Sequence, residues 1–232
     1  MSLTVTGLTA GYDGTPILRD VDCRVDGGEV VGIVGKNGVG KTTLLKTIMG
    51  LLDPDSGTVE YRGETIDALS ADERAGLGIG YVPQGRDVFP GLSVRENLLI
   101  GENIGNETEA LYDRVYEYFP ILEERASQDA ATMSGGQQQM LAIGRALVGN
   151  PDLLLVDEPS EGVQPSIVQS ITEDLARINE EFGTTILFVE QNLSVIQGLA
   201  DRCYAMDKGR LVDELDAEAI QDRGRLESHL VV

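Results

Sequence analysis

The sequence predicts an α/β fold built on a mostly parallel sheet. Three observations carry that prediction. Short apolar runs of strand length stand at residues 29–34, 153–156 and 185–189. Helix-spaced apolar residues separate them. The first run passes through a glycine-rich loop straight into a helical pattern, as a βα unit does.

The chain begins with two strands. Leu3 and Val5, then Val21, Cys23 and Val25, alternate with polar residues, the pattern of half-buried antiparallel strands. Turn residues at 11–14 and 26–28 bound them. Residues 41–51 carry Leu44, Leu45, Ile48 and Met49 at helical spacing, and the Asp-Pro-Asp-Ser-Gly run at 53–57 is expected to end that helix. Val59, Tyr61 and Ile66 predict a hairpin around Arg62 and Gly63. Residues 94–148 read as mostly helical. Segment 109–119 carries Leu111, Val115, Tyr118 and Phe119 on one face, and segment 137–147 carries Met140, Leu141, Ile143 and Leu147. This block reads as a helical insertion, 85–149, in a core formed by 1–84 and 150–232. An amphipathic helix at 167–178, a helix at 193–200, and a hairpin of 204–206 with 210–212 turning at Lys208 and Gly209 complete the pattern. The charged stretch 213–232 is expected to be a surface helix and tail.

The charge balance is extreme: 18 basic against 39 acidic residues, net −21. Such a chain repels nucleic acid and anionic lipid. No apolar run approaches the ~20 residues that span a bilayer. Residues 1–6 lack the basic flank and apolar centre of a signal peptide. The expected place is the cytoplasm, peripheral on the inner face of the membrane, with membrane contact only through partners. Cys23 and Cys203 are the only cysteines and are expected to be reduced and buried. His229 is the only histidine, which excludes a Ser-His-Asp triad or histidine metal site in practice.

Gly35, Lys36, Asn37, Gly38, Val39, Gly40, Lys41 and Thr42 fit G-x-x-x-x-G-K-[ST], with a strand before and a helix after. The glycines let backbone N–H groups turn towards phosphate oxygens, and the helix adds its positive end. Lys41 reaches for the outer phosphates and Thr42 offers its hydroxyl to Mg2+. Thr43, next in the helix, belongs to the same binding segment. The motif alone means a nucleoside triphosphate. Kinases, motors and GTPases stay open at this point.

Asp157 and Glu158 close the apolar run 153–156. Acids at a strand's C-terminal end lie beside the phosphate loop in such sheets. Asp157 is assigned to the metal and its waters, and Glu158 to polarising the attacking water. Ser134, Gly135, Gly136 and Gln137 open a helix. They read either as a second anion site at a helix N-terminus or as a serine-capped helix start.

Taken in this order, the phosphate loop, Gln84, Ser134–Gln137 and the run into Glu158 resemble the ABC transporter ATPase along nearly the whole chain. The resemblance implies a P-loop NTPase with a RecA-like core sheet, an antiparallel β subdomain and an inserted helical subdomain. It implies ATP and Mg2+, a second ATPase subunit of the same or a paralogous kind, and transmembrane permease subunits. In a head-to-tail dimer each ATP would lie between one phosphate loop and the other chain's Ser134–Gln137 segment. Tyr12 matches the aromatic that stacks on adenine. Gln84 matches the glutamine that contacts Mg2+ and couples to the membrane subunit.

Two positions depart from the family pattern. Gln191 stands where a switch histidine is usual, and can bond a γ-phosphate but cannot shuttle a proton. Gln164 stands where the loop after Glu158 usually ends in aspartate. Glu158 and Gln191 are therefore the catalytic candidates. The segments 80–90 and 158–165 resemble ATPases of urea importers first, with those of branched-chain amino acid importers as near neighbours. A soluble ABC ATPase acting outside transport is the alternative. The acidity reads first as a solvated acidic surface; the sharper reading is a salt-loving source, where high salt screens self-repulsion. The melting temperature is expected to rise as KCl goes from about 0.1 M to about 2 M, with the Debye length falling below about 3 Å. A flat or falling curve in calorimetry contradicts this.

Overall fold

The computed structural model describes residues 3–102 and 111–228. Glu109 and Ala110, which open one expected helix, and His229 lie outside the described residues.

Strands β1 (Leu3–Tyr12) and β2 (Thr15–Val25) form the expected antiparallel pair. Strand β3 (Val30–Val34) runs into the glycine loop and helix α1 (Lys41–Met49). The helix stops earlier than expected, because Gly50 takes a left-handed φ of 77° and its N–H caps Lys46 and Thr47 carbonyls. Strands β4 (Ser56–Tyr61) and β5 (Glu64–Thr65) make the hairpin. The order β2-β1-β4-β5 gives one four-stranded antiparallel sheet.

Helix α2 (Ala71–Gly76) and strand β6 (Ile79–Val82) follow, and neither was anticipated from periodicity. The helical block holds α3 (Val94–Glu102), α4 (Tyr112–Tyr118), α5 (Pro120–Glu124), a 3-10 turn at Ala130–Thr132, and α6 (Gly135–Val148). Then come β7 (Leu153–Asp157), α7 (Pro165–Phe182), β8 (Thr185–Glu190), α8 (Leu193–Leu199), β9 (Arg202–Asp207) and β10 (Arg210–Leu215). Lys208 and Gly209 turn the last hairpin with φ of 47° and 78°, the left-handed pair that matches strand twist. Two short helices close the described chain, α9 (Ala217–Gln221) and α10 (Arg223–Ser228).

The second sheet has the order β10-β9-β3-β8-β7-β6. All neighbours pair in parallel except β10 with β9. From β3 the chain leaves for the far edge at β6. It returns through β7 and β8 to one side of β3, then crosses to β9 on the other. Register is level at the C-terminal ends: Val34 faces Glu190, Asp157 faces Val189, and Val82 faces Val156. Four loops bearing motifs thus leave the sheet along one edge, the expected place for a ligand.

Both sheet faces are buried, so strand side chains alternate between two cores. Leu153 and Leu155 join the core shared with α1 and the antiparallel sheet, while Leu154 and Val156 join the core under the helices. Gly32 has no side chain because a Cβ there would stand 3.0 Å from Ile196 and 3.1 Å from Phe188. Cys23 and Cys203 are free and buried, as anticipated. Burial pushes each thiol up to about 12, which keeps both protonated.

The expectation for residues 213–232 needs correction. Residue Leu215 ends a sheet strand, and Leu215, Ile220 and Leu226 are each 0% exposed against the helical core. Their spacing among charged residues masked an apolar face that only packing exposes.

Arg74 is a second feature composition hides. It is 1% exposed, and its guanidinium donates to the carbonyls of Thr47, Ile48, Leu69 and Asp67. It thereby bonds two carbonyls in the last turn of α1, the helix that follows the phosphate loop. Arg74→Met is expected to lower stability by about 3 kcal/mol, since it strands buried acceptors. The urea midpoint should fall at constant m-value.

Candidate nucleotide site

The glycine loop is shaped by sterics first. Gly38 and Gly40 have φ of 80° and 115°, which side chains other than hydrogen disfavour. A Cβ on Gly35 would lie 2.6 Å from the Met206 carbonyl oxygen. Lys41, at the start of α1, is 3% exposed. Its ammonium donates to the Gly35 and Lys36 carbonyls at 2.9 Å each and pairs with Glu158 Oε1 at 2.9 Å. Thr42, beside it, gives its hydroxyl hydrogen to Asp157 Oδ1 at 3.0 Å.

The strand β7 delivers the acids. Asp157 is 0% exposed and also accepts from the Tyr81 hydroxyl at 3.3 Å. Burial raises its carboxyl above the usual aspartate value, and the bonds from Thr42 and Tyr81 oppose that shift. Glu158 is held at a left-handed φ of 45°, a strained setting for a non-glycine residue. Its N–H bonds the Val189 carbonyl at 3.0 Å, tying the loop to β8. Its Oε2 is buried and without a hydrogen-bond partner. An acceptor so placed, next to an ammonium, suits orienting a water.

These groups fit a magnesium triphosphate. A glycine loop at a helix start and a buried ammonium suit phosphate oxygens, and a hydroxyl beside a carboxylate suits a hard cation. Among the described residues no cluster of three or more histidine, cysteine or acidic side chains could hold a metal alone.

The other motif residues sit elsewhere. Ser134 caps α6: its Oγ accepts from Gln137 N–H at 3.4 Å, and Gln137 Oε1 accepts from Ser134 N–H at 3.0 Å. So the capping reading of Ser134 holds in full, and Gly135 and Gly136 form the first helical turn beside it. Gln84 is exposed and donates to Glu161 Oε2 at 2.9 Å, so its amide is engaged by the loop after Glu158. Tyr12 closes β1 and is 46% exposed. Gln191 is exposed, its N–H bonded to Glu190 Oε2 at 2.9 Å. Gln164 caps α7 through its backbone position.

Three contributors escaped sequence reasoning. Tyr81 reaches Asp157 from β6. Arg86, at a left-handed φ of 75°, donates to the Glu161 and Gly162 carbonyls at 3.0 and 2.9 Å and lies beneath Gly135. Glu190 is a buried acid that ends a strand whose preceding four residues, Ile186 to Val189, are all apolar. A charge closing such a run was the one available signal.

On the helical side, an apolar groove of about 720 Å³ is lined by Met49, Leu51, Ile79, Val88, Phe89 and Ile100. Leu51 and Phe89 are 53% and 43% exposed, and the Arg145 guanidinium lies 4.9 Å over the Phe89 ring.

A parallel sheet with a phosphate loop, a paired lysine and two strand-end acids along one edge defines a P-loop nucleotide hydrolase. Comparison with known proteins narrows the class. The family model "ABC transporter" matches residues 18–161. The high-affinity branched-chain amino acid transport ATP-binding protein BraG of Pseudomonas aeruginosa is 45% identical over 203 residues, 87% of each chain. A nucleotide-free ATP-binding cassette from an ABC transporter superposes with a TM-score of 0.86 at 27% identity, covering 100% of both chains. A dimeric cassette in a post-hydrolysis state with ADP and Pi gives 0.83 at 27%, covering 93% of this chain and 98% of that one. The chain belongs to the ABC transporter family, as an ATP-binding subunit and an ATPase.

Lys41→Ala is expected to weaken ATP binding about a hundredfold, because a charge-assisted bond to phosphate contributes about 3 kcal/mol. Isothermal titration with ATP measures it. Unchanged affinity would remove Lys41 from the site.

Proposed function

We propose that this chain energises import of branched-chain amino acids, as one half of an ATP-bridged dimer seated on permease subunits. The observation that carries the enzymatic part is the buried Lys41–Glu158 pair beside the Thr42–Asp157 pair. The name of BraG supports the amino acids over urea. The cassette dimer with ADP and Pi supports the pairing of two chains. Whether the second chain is identical or a paralogue does not alter the chemistry.

In this reading the phosphate loop, Gly35 to Thr43, grips the triphosphate, and Tyr12 stacks on the adenine. Lys41 exchanges Glu158 for phosphate oxygens. Glu158, released from the ammonium, orients the water and takes its proton. Thr42, Asp157 and Gln84 would hold Mg2+, which when bound would spread the developing phosphate charge. Gln191 donates its amide to the γ-phosphate. Ser134, Gly135, Gly136 and Gln137 present the positive end of α6 to the partner chain's nucleotide. The division into a core of 1–84 and 150–232 and a helical unit of 85–149 gives the moving parts. The apolar groove beside Phe89 is the seat for a permease segment. Among the described residues no helix is long and apolar enough to cross a membrane. Attachment at the cytoplasmic face would run through permease subunits.

Glu158→Gln is expected to cut phosphate release about a thousandfold, within the range for a lost general base. It should also leave an ATP-dependent dimer in size-exclusion chromatography. Turnover at the unmutated rate would sink the base assignment. In vesicles carrying the chain and its permeases, ATP should drive leucine uptake, and Glu158→Gln should stop it. Uptake of urea but not leucine would overturn the solute.

A further inference from the structure

We propose that Glu190 is a positioning residue for hydrolysis, one carboxylate that holds the Glu158 loop and the Gln191 loop in fixed relation. The proposal rests on the reading of Glu158 as base.

Glu190 is the last residue of β8, the strand between β3 and β7. It is 0% exposed. Its Oε1 accepts the Ser160 N–H at 2.9 Å, two residues beyond Glu158. Its Oε2 accepts the N–H groups of Gln191 and Asn192, both at 2.9 Å. One side chain therefore spans two loops that leave neighbouring strands. The adjacent Val189 carbonyl takes the Glu158 N–H, so the catalytic loop is pinned to β8 at two successive residues.

A buried acid needs compensation, because losing water disfavours its charge. Burial pushes the Glu190 carboxyl up, and the bonds from Asn192, Ser160 and Gln191 oppose the push. The residue type follows from the geometry. Only a carboxylate has two acceptor oxygens on one carbon, one for each loop. A glutamine of the same shape accepts at one and offers N–H at the other, against a backbone donor. Asparagine or serine reaches one loop at most. Glu158 is strained at φ 45°, and such a conformer persists only where its surroundings hold it.

The test compares Glu190→Gln, Glu190→Asp and Glu158→Gln in the full chain, by steady-state phosphate release. Glu190→Gln is expected to lower kcat about tenfold to a hundredfold, the effect of misplacing a reacting group by about an ångström. KM for ATP should stay within about threefold, because the phosphate loop is untouched. Glu190→Asp, which keeps both acceptors on a shorter arm, should fall between. Hydrogen exchange on the unmutated chain adds a measurement that needs no variant to fold. The Ser160, Gln191 and Asn192 amides should exchange slowly and, in Glu190→Gln, lose protection at one loop or both. Unmutated kcat in Glu190→Gln, or a raised KM at constant kcat, overturns the inference. Fast exchange of the three amides in the unmutated chain does so too. An inactive Glu158→Gln beside a fully active Glu190→Gln removes this inference alone, whereas an active Glu158→Gln removes the base assignment beneath it.

Discussion

Lys41 carries a positive charge to a place almost closed to water, and the rest of the site is arranged around that demand. Two backbone carbonyls and the Glu158 carboxylate satisfy the ammonium. A buried charge left without such partners is strongly unfavourable. The pairing also holds the site together before nucleotide arrives. It ties Glu158, just after the end of β7, to the start of α1. Phosphate oxygens are the natural substitute for Glu158, because they bring more negative charge to the same donors. In the proposed cycle, nucleotide entry and release of Glu158 are one exchange of partners.

The second level of organisation is the link between the helical elements and the catalytic edge. Gln84 and Arg86 follow β6 and both take hold of the loop after Glu158, the first through Glu161 Oε2 and the second through backbone carbonyls. Arg86 also underlies Gly135, at the tip of α6. The groove beside Phe89 continues the same segment. A few polar contacts thus join the segment beside the groove to the loop after Glu158.

Charge acts on a longer scale. The chain is strongly acidic, yet three of its four lysines, Lys36, Lys41 and Lys46, fall between positions 36 and 46. Lys46 also acts on Asp157, lowering its carboxyl against the push of burial. A small positive island in a negative field focuses an anionic nucleotide on one loop and discourages polyanions elsewhere.

Sequence alone determined the features that are local. Strand and helix periods gave the βα core, and glycine spacing gave the phosphate loop, because each depends on neighbours within a few residues. The strand-end acids Asp157 and Glu158 were legible for the same reason. Ser134 was legible as a helix cap, because capping depends on residues three positions apart. Tertiary structure decided what joins distant segments. Arg74 reads as an ordinary surface charge until α1's carbonyls close on it. The apolar residues after position 213 read as scattered until they meet the helical core. Glu190, Tyr81 and Arg86 gain their partners only once the level register of the sheet brings four loops to one edge. A period of two or 3.6 records which way a side chain points, but not which distant backbone N–H or carbonyl it will find there.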